Sequence, residues 1–221
     1  LTKGYVEVGG RRFNDKYANK VMNYDSAFAI SSNAAAIKIA LRLGNDGFYR
    51  YAQKFGFGQA VGVGLPAEEK GIVRPPSVWQ GDSLASMSIG YEMGVTALQM
   101  ATAYAVIANN GVKVQPHIIK ETRYADGKVF SSTSVEKTPI VHPQTAQVLK
   151  RMMREVVVNG TAKQAQLDGY TSAGKTGTAW KYNAQIKRVD ASKYISSFIG
   201  FAPAENPEVV IAVVMDEPKT G

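Results

Sequence analysis

The sequence predicts an α+β domain, on three observations. Helical apolar periodicity dominates the first two thirds of the chain, and β-branched runs separated by polar turns dominate the last third. The final connection, Pro203 to Glu208, is too short for a crossover helix, so the strands it joins must be antiparallel.

From Asp25 to Leu43 the chain is Ala-rich, with Phe28, Ile30, Ile37, Ile39 and Leu41 apolar. This reads as a short helix, a turn at Ser31-Ser32-Asn33, and a second helix stopped by Gly44. Phe48 to Phe55 reads as a further amphipathic helix. Gly56, Gly58, Gly62 and Gly64, with Pro66, Pro75 and Pro76, mark a long irregular connection. Thr96 to Ala108 reads as a buried helix ended by Asn109-Asn110-Gly111. Val112 to Tyr124, with Val129, suggests a hairpin turning at Asp126-Gly127. Pro143 to Val158 is an amphipathic helix with Pro143 in its first turn and Asn159-Gly160 as its stop. Strands follow at Thr171 to Trp180, Tyr194 to Ala202 and Val209 to Met215.

Composition narrows the chemistry. The 221 residues suit one domain, and 45% hydrophobic content fills a sizeable core. The absence of cysteine excludes disulfides, thiolate catalysis and Cys-ligated zinc. His117 and His142 each sit beside a proline and read as loop residues, so a His-based triad or a multi-His metal site is not expected. The chemistry must use Ser, Thr, Lys, Asp, Glu, Tyr or Asn. The net charge of +8 is scattered, with no block of five or six basic residues. It reads as a soluble basic domain rather than as a nucleic-acid binder; such a domain would also suit an anionic polymer such as a cell wall, and the charge alone does not choose. No run of about 18 apolar residues exists to span a membrane.

One lysine admits two readings. Gly169-Tyr170-Thr171-Ser172-Ala173-Gly174-Lys175-Thr176 satisfies the phosphate-loop pattern, and Val209 to Met215 followed by Asp216-Glu217 imitates the strand and acid that hold Mg²⁺. A phosphate loop needs a buried strand before it and a helix after it. Here a polar stretch, Ala162 to Asp168, precedes Gly169, and Thr176-Gly177-Thr178 opposes helix. The second reading makes Lys175 to Thr178 part of a strand. Alternation then puts Lys175 and Gly177 on one face and Thr176 and Thr178 on the other, unless a twist or bulge at Gly177 re-aims them. A lysine and two hydroxyls in four residues can hold a carboxylate.

Ser-x-x-Lys, a Ser-x-Asn element and Lys-Thr-Gly are the three motifs of penicillin-binding proteins and class A β-lactamases. Ser31-Ser32-Asn33 and Lys175-Thr176-Gly177 supply the second and third in the expected order. The flanks Gly174 to Ala179 and Ser197 to Ala204 resemble the sheet of class B penicillin-binding proteins. Val95 to Gln99, Ala108 to Gly111 and Gly160-Thr161-Ala162 also resemble landmarks of that family. The resemblance runs from about Gly9 to the C-terminus. The ending Met215-Asp216-Glu217-Pro218-Lys219 is more similar to the cell-division branch than to the elongation branch.

The resemblance implies a β-lactamase/transpeptidase-like fold, an antiparallel sheet packed with helices. It implies one partial domain over residues 1–221, with a helical part at about 16–160 and sheet strands at about 171–217. The implied activity is peptidoglycan D,D-transpeptidation through a serine acyl-enzyme, with stem peptides as substrate and β-lactams as inhibitors. Ser31 would relay a proton. Asn33 would bond the substrate amide and help hold the catalytic lysine. Lys175 would polarise Ser31 and attract the stem's terminal carboxylate. The Thr176 and Thr178 hydroxyls would bind that carboxylate, the Thr178 N–H would form half of an oxyanion hole, and Gly177 would give clearance. No cofactor or metal is implied. The partners implied are cell-division membrane proteins, at the periplasmic or outer face of the cytoplasmic membrane, with no nucleic acid. Ser31 or Asn33 could instead cap the helix that follows.

The first motif is not found before Ser31. Ser134-Val135-Glu136-Lys137 reads as surface loop, and Ser172-Ala173-Gly174-Lys175 leads into the strand whose lysine is already assigned. The nucleophilic serine is therefore expected upstream of Leu1, the fold incomplete at the N-terminus and at the C-terminus, and this stretch alone inactive. Glu92, Ala97 and Trp180 depart from the residues expected at their places in the family. A β-lactam-binding sensor or catalytically inactive homologue is the alternative, and a phosphate-loop nucleotide hydrolase a remote one.

Overall fold

The computed structural model describes residues 4–15, 21–183, 185 and 188–219. It opens on a hairpin that the sequence reading did not anticipate, Tyr5–Val8 (β1) against Arg11–Asn14 (β2). Gly9 and Gly10 both take positive φ, +58° and +77°, as a two-residue hairpin turn requires. Two glycines between alternating runs were the available signal. Phe13 from this hairpin is buried against Ile37 and Ala85, which docks the hairpin on the helical region.

The short helix Tyr24–Ala29 (α1) and the long helix Asn33–Lys54 (α2) flank the Ser31-Ser32 turn, as expected. The predicted stop at Gly44 is a break rather than an end. Gly44 alone leaves helical geometry, at φ +75° and ψ +168°, and a second helical half follows directly where a separate helix at Phe48 was expected. After the Gly-rich connection comes a short helix that was not anticipated, Ser83–Ser88 (α3). Ala97–Ala108 (α4) follows, opened by a reciprocal capping box between Thr96 and Gln99. The Gln99 amide nitrogen also donates to the carbonyls of Gly56, Gln59 and Lys70, pinning the Gly-rich connection to α4.

The expected Val112-to-Tyr124 hairpin divides in two. Val112–Val114 (β3) pairs with Lys137–Pro139 (β6), whereas Glu121–Arg123 (β4) pairs with Val129–Ser132 (β5) across the Asp126-Gly127 turn. Pro116 has no N–H for a ladder and separates the two pairings. The 16–160 region is thus not purely helical. Its first residues, 16–20, lie outside the described residues. Ser134 is exposed as expected, but Lys137 opens β6 and is not loop.

Pro143–Val158 (α5) leads into the main sheet of Ala173–Asn183 (β7), Arg188–Ala202 (β8) and Val209–Asp216 (β9), antiparallel throughout. β7 and β8 extend beyond the predicted strands into the polar stretch between them. Ile107, Met153, Ala173 and Phe201 join α4, α5 and the sheet in one core cluster. A second cluster sets Phe198 against Val156, Val157 and Ala162.

Candidate active site

The tripeptide Ser31-Ser32-Asn33 is a junction between two helices, and each residue has a separate duty. The Ser31 N–H donates to the Phe28 carbonyl and the Ser32 N–H to the Ala27 carbonyl. That is the double bond of a Schellman ending, and it puts Ser31 at the left-handed position, with φ +59°. Glycine normally occupies this place. Ser32 is buried and is the N-cap of α2, its hydroxyl accepting from the Ala35 N–H. The Asp15 carboxylate reinforces the same helix end, accepting from the Ser32 hydroxyl at 2.5 Å and the Ala34 N–H at 2.9 Å. Capping is therefore done by Ser32, not by Ser31 or Asn33. Asn33 is the first helical residue, and its amide nitrogen donates to the Asn14 carbonyl at 3.3 Å.

Lys175 lies in β7, an outer strand of the β7-β8-β9 sheet. Its ammonium donates to Ser31 Oγ at 2.5 Å and to the Thr176 carbonyl at 3.0 Å. Among the described residues, two of its three donors are thereby used. Burial pushes the Lys175 pKa down from 10.5 to about 8.

Strand alternation would split Lys175 and Gly177 from Thr176 and Thr178, yet all four border one groove of about 1060 Å³ with Ser31 and Asn33. No bulge at Gly177 is responsible: the pairing is regular from Ala173 to Trp180, and the register shifts only between Trp180 and Lys181. The cause is the free edge of β7, which exposes both faces of the strand to the groove. Main-chain direction follows from the same contacts. The Thr176 carbonyl turns outward to Lys175, while the Gly177 carbonyl accepts from Ser197 Oγ of β8 at 3.5 Å. In an antiparallel ladder a residue's N–H and C=O point the same way and successive residues alternate. The Thr178 N–H therefore faces the free edge. A Cβ at position 177 would stand 2.7 Å from Ser197 Oγ, so any side chain there would force that hydroxyl to turn away.

Among the described residues lining the groove, none is Asp or Glu, and Lys163 and Lys175 are its cations. A cleft of this composition favours an anion. The sequence reading passed over Thr161, whose Oγ1 lies 2.7 Å from Thr176 Oγ1. In the sequence, Gly160-Thr161-Ala162 carries only a family resemblance and no role for the hydroxyl. Neither Ser-x-x-Lys spelling supplies a serine here. The Ser172 hydroxyl is buried and donates to the Ala165 carbonyl, and Ser134 does not border the groove.

The phosphate-loop reading fails on the same geometry. Lys175 is followed by eight more strand residues rather than a helix, so no helix N-terminus faces a phosphate. Asp216 and Glu217 accept from Lys181, at 2.5 Å and 3.0 Å, instead of standing free for a cation.

Residues 3–221 match the family model of the penicillin binding protein transpeptidase domain. Penicillin-binding protein PbpB of Mycolicibacterium smegmatis is 39% identical over 98% of this chain and 35% of its own length. Stage V sporulation protein D of Bacillus subtilis is 31% identical over 98% of this chain and 34% of its own length. The chain thus spans about a third of the length of these curated relatives. A crystal structure of penicillin binding protein 3 from Mycobacterium tuberculosis, complexed with aztreonam, superposes with a TM-score of 0.92 at 37% identity, over 98% of this chain and 50% of that one. The chain belongs to the penicillin binding protein transpeptidase domain family.

Proposed function

We propose that this chain is the substrate-binding and proton-relay part of a peptidoglycan D,D-transpeptidase, acting on D-Ala-D-Ala stem peptides. The observation that carries the reading is the 2.5 Å bond from Lys175 Nζ to Ser31 Oγ at the edge of a groove with no Asp or Glu among its described lining residues. A nucleophilic serine of the whole protein attacks the penultimate carbonyl. Ser31, polarised by Lys175, passes a proton toward the departing D-alanine. The Lys175 charge and the Thr176 and Thr178 hydroxyls hold the terminal carboxylate, and the outward Thr178 N–H stabilises the developing oxyanion. Asn33 orients the peptide amide from the start of α2. An amine of a neighbouring stem then attacks the acyl-enzyme, and β-lactams acylate the same serine.

The 39% identity to a penicillin-binding protein and the likeness to an aztreonam-bound structure support this reading. Work on peptidoglycan implies an extracytoplasmic site of action. The Met215-to-Lys219 ending favours a cell-division role, with division membrane proteins as partners. The test is the complete protein given a D-Ala-D-Ala stem substrate and an acceptor amine. Release of D-alanine with a cross-linked product is expected, together with a covalent adduct with fluorescent penicillin. An adduct without D-alanine release would instead identify a β-lactam-binding sensor, and absence of both would refute the reading. The 221-residue chain by itself is expected to form no adduct.

A further inference from the structure

We infer that Thr161 is a positioning residue for the carboxylate clamp, orienting the Thr176 hydroxyl toward the ligand; this rests on the transpeptidase reading above. Thr161 is neither in β7 nor beside Ser31 in sequence. It sits in the turn after α5, and its hydroxyl lies 2.7 Å from that of Thr176. It also borders the groove.

Hydroxyl stoichiometry gives the pair a direction. Each threonine hydroxyl carries one proton and two lone pairs. If Thr176 donated to Thr161, its only proton would be spent and it would turn a lone pair toward an incoming carboxylate. With Thr161 as donor, the Thr176 proton is left for the anion, and the two bonds polarise each other. An anion in the groove therefore selects the chain Thr161 to Thr176 to carboxylate.

The backbone keeps Thr161 in place. Its N–H donates to the Ala29 carbonyl at 3.2 Å, two residues before Ser31. Any side chain at Gly160 would run into that carbonyl, so the turn can approach α1 only with glycine there. Ala162 is buried, and its N–H donates back to the Val156 carbonyl at 3.1 Å. One turn thus touches both the helix ending that carries Ser31 and the strand that carries Thr176.

The test compares Thr161→Val, which keeps the shape and loses the hydroxyl, with Thr161→Ser, which keeps the hydroxyl. In the complete protein, acylation rates are measured with a β-lactam bearing its free carboxylate and with its methyl ester. In the 221-residue chain, binding of an N-acylated D-Ala-D-Ala peptide and its C-terminal amide is followed by NMR. Thr161→Val should reduce acylation by the free acid about three- to tenfold, the scale of one hydrogen bond, and leave the ester within twofold. It should also narrow the acid-over-amide binding preference by a similar factor. Thr161→Ser should restore both. Equal losses on acid and ester, or no loss on either, would overturn the inference, as would a wild-type chain with no preference for acid over amide. The transpeptidase reading fails separately, through absence of D-alanine release.

Discussion

Lys175 Nζ and Ser31 Oγ lie 2.5 Å apart although 144 positions separate them in the chain. The contact joins a sheet edge to a helix junction, and it forms where burial has already brought the lysine pKa to about 8. The charge of Lys175 is therefore adjustable in a range that few lysines reach.

This gives a pH dependence of substrate binding. Lys175 is cationic below about pH 8, and on the proposed reading it attracts the stem carboxylate there. KM for a free-acid stem peptide should be flat below that pH and rise toward about tenfold per pH unit above it. Lys175→Arg holds its charge past pH 12 and should abolish this limb whatever its overall activity. A wild-type KM unchanged from pH 7 to 10 would contradict the assignment.

A stability signature accompanies it, with a definite sign. The folded pKa of about 8 lies below the ordinary 10.5, so between these values the unfolded chain binds more protons. Folding stability contributed by this site must then rise with pH across that window. At pH 7 the folded state bears the full penalty of the buried charge. Lys175→Met should be more stable than wild type in urea at pH 7, with the advantage shrinking as pH approaches 10.5.

Ser31 occupies a left-handed position that suits glycine, at φ +59°. Ser31→Gly should relieve strain and stabilise the fold by about 1 kcal/mol, while lowering acylation by about 10²–10⁴ if its hydroxyl is the proposed relay. Ser31→Ala should lose the activity without gaining the stability. Thermal unfolding beside acylation kinetics separates the two effects.

Ser32 makes no such trade. Its hydroxyl caps α2 and binds Asp15, so Ser32→Ala should destabilise by about 1–2 kcal/mol. Asp15→Asn should weaken the same helix end more gently. The readout is urea unfolding monitored by far-UV circular dichroism.

Gly200 lies under the Phe198 ring, where an added methyl would stand 2.7 Å from a ring carbon and 2.8 Å from the Ala173 carbonyl. Gly200→Ala should cost about 1–3 kcal/mol by overpacking. Because Phe198 also seats the end of α5, hydrogen exchange should quicken in the turn carrying Thr161.

Much of this was legible in the sequence, for identifiable reasons. Helices with strong caps or stops, such as Thr96 before α4 and Asn159-Gly160 after α5, announce themselves because capping is local chemistry. So do strands as apolar as Val209 to Met215. Lys175, Thr176, Gly177, Thr178, Ser31 and Asn33 could be collected from motif order. Their convergence on one groove required the free edge of β7, and edge position is a tertiary property. α3 was missed because six residues give little periodicity to read. The β3–β6 pairing was missed because it skips over an intervening hairpin. Thr161 was visible but mute, since its role exists only through a residue on another element.

The open flank of β7 has a cost unrelated to chemistry. Unpaired main-chain donors and acceptors accept any extended segment, whether a stem peptide or the strand of a second molecule. In the middle of that flank the Thr176 carbonyl is held by Lys175 Nζ. Lys175 and Lys181 are the charged residues of the strand, and Lys181 is engaged by Asp216 and Glu217, which leaves Lys175 to discourage unwanted pairing. On the proposed reading, the lysine that recruits substrate is thus also an edge charge that disfavours pairing with the strand of a second molecule.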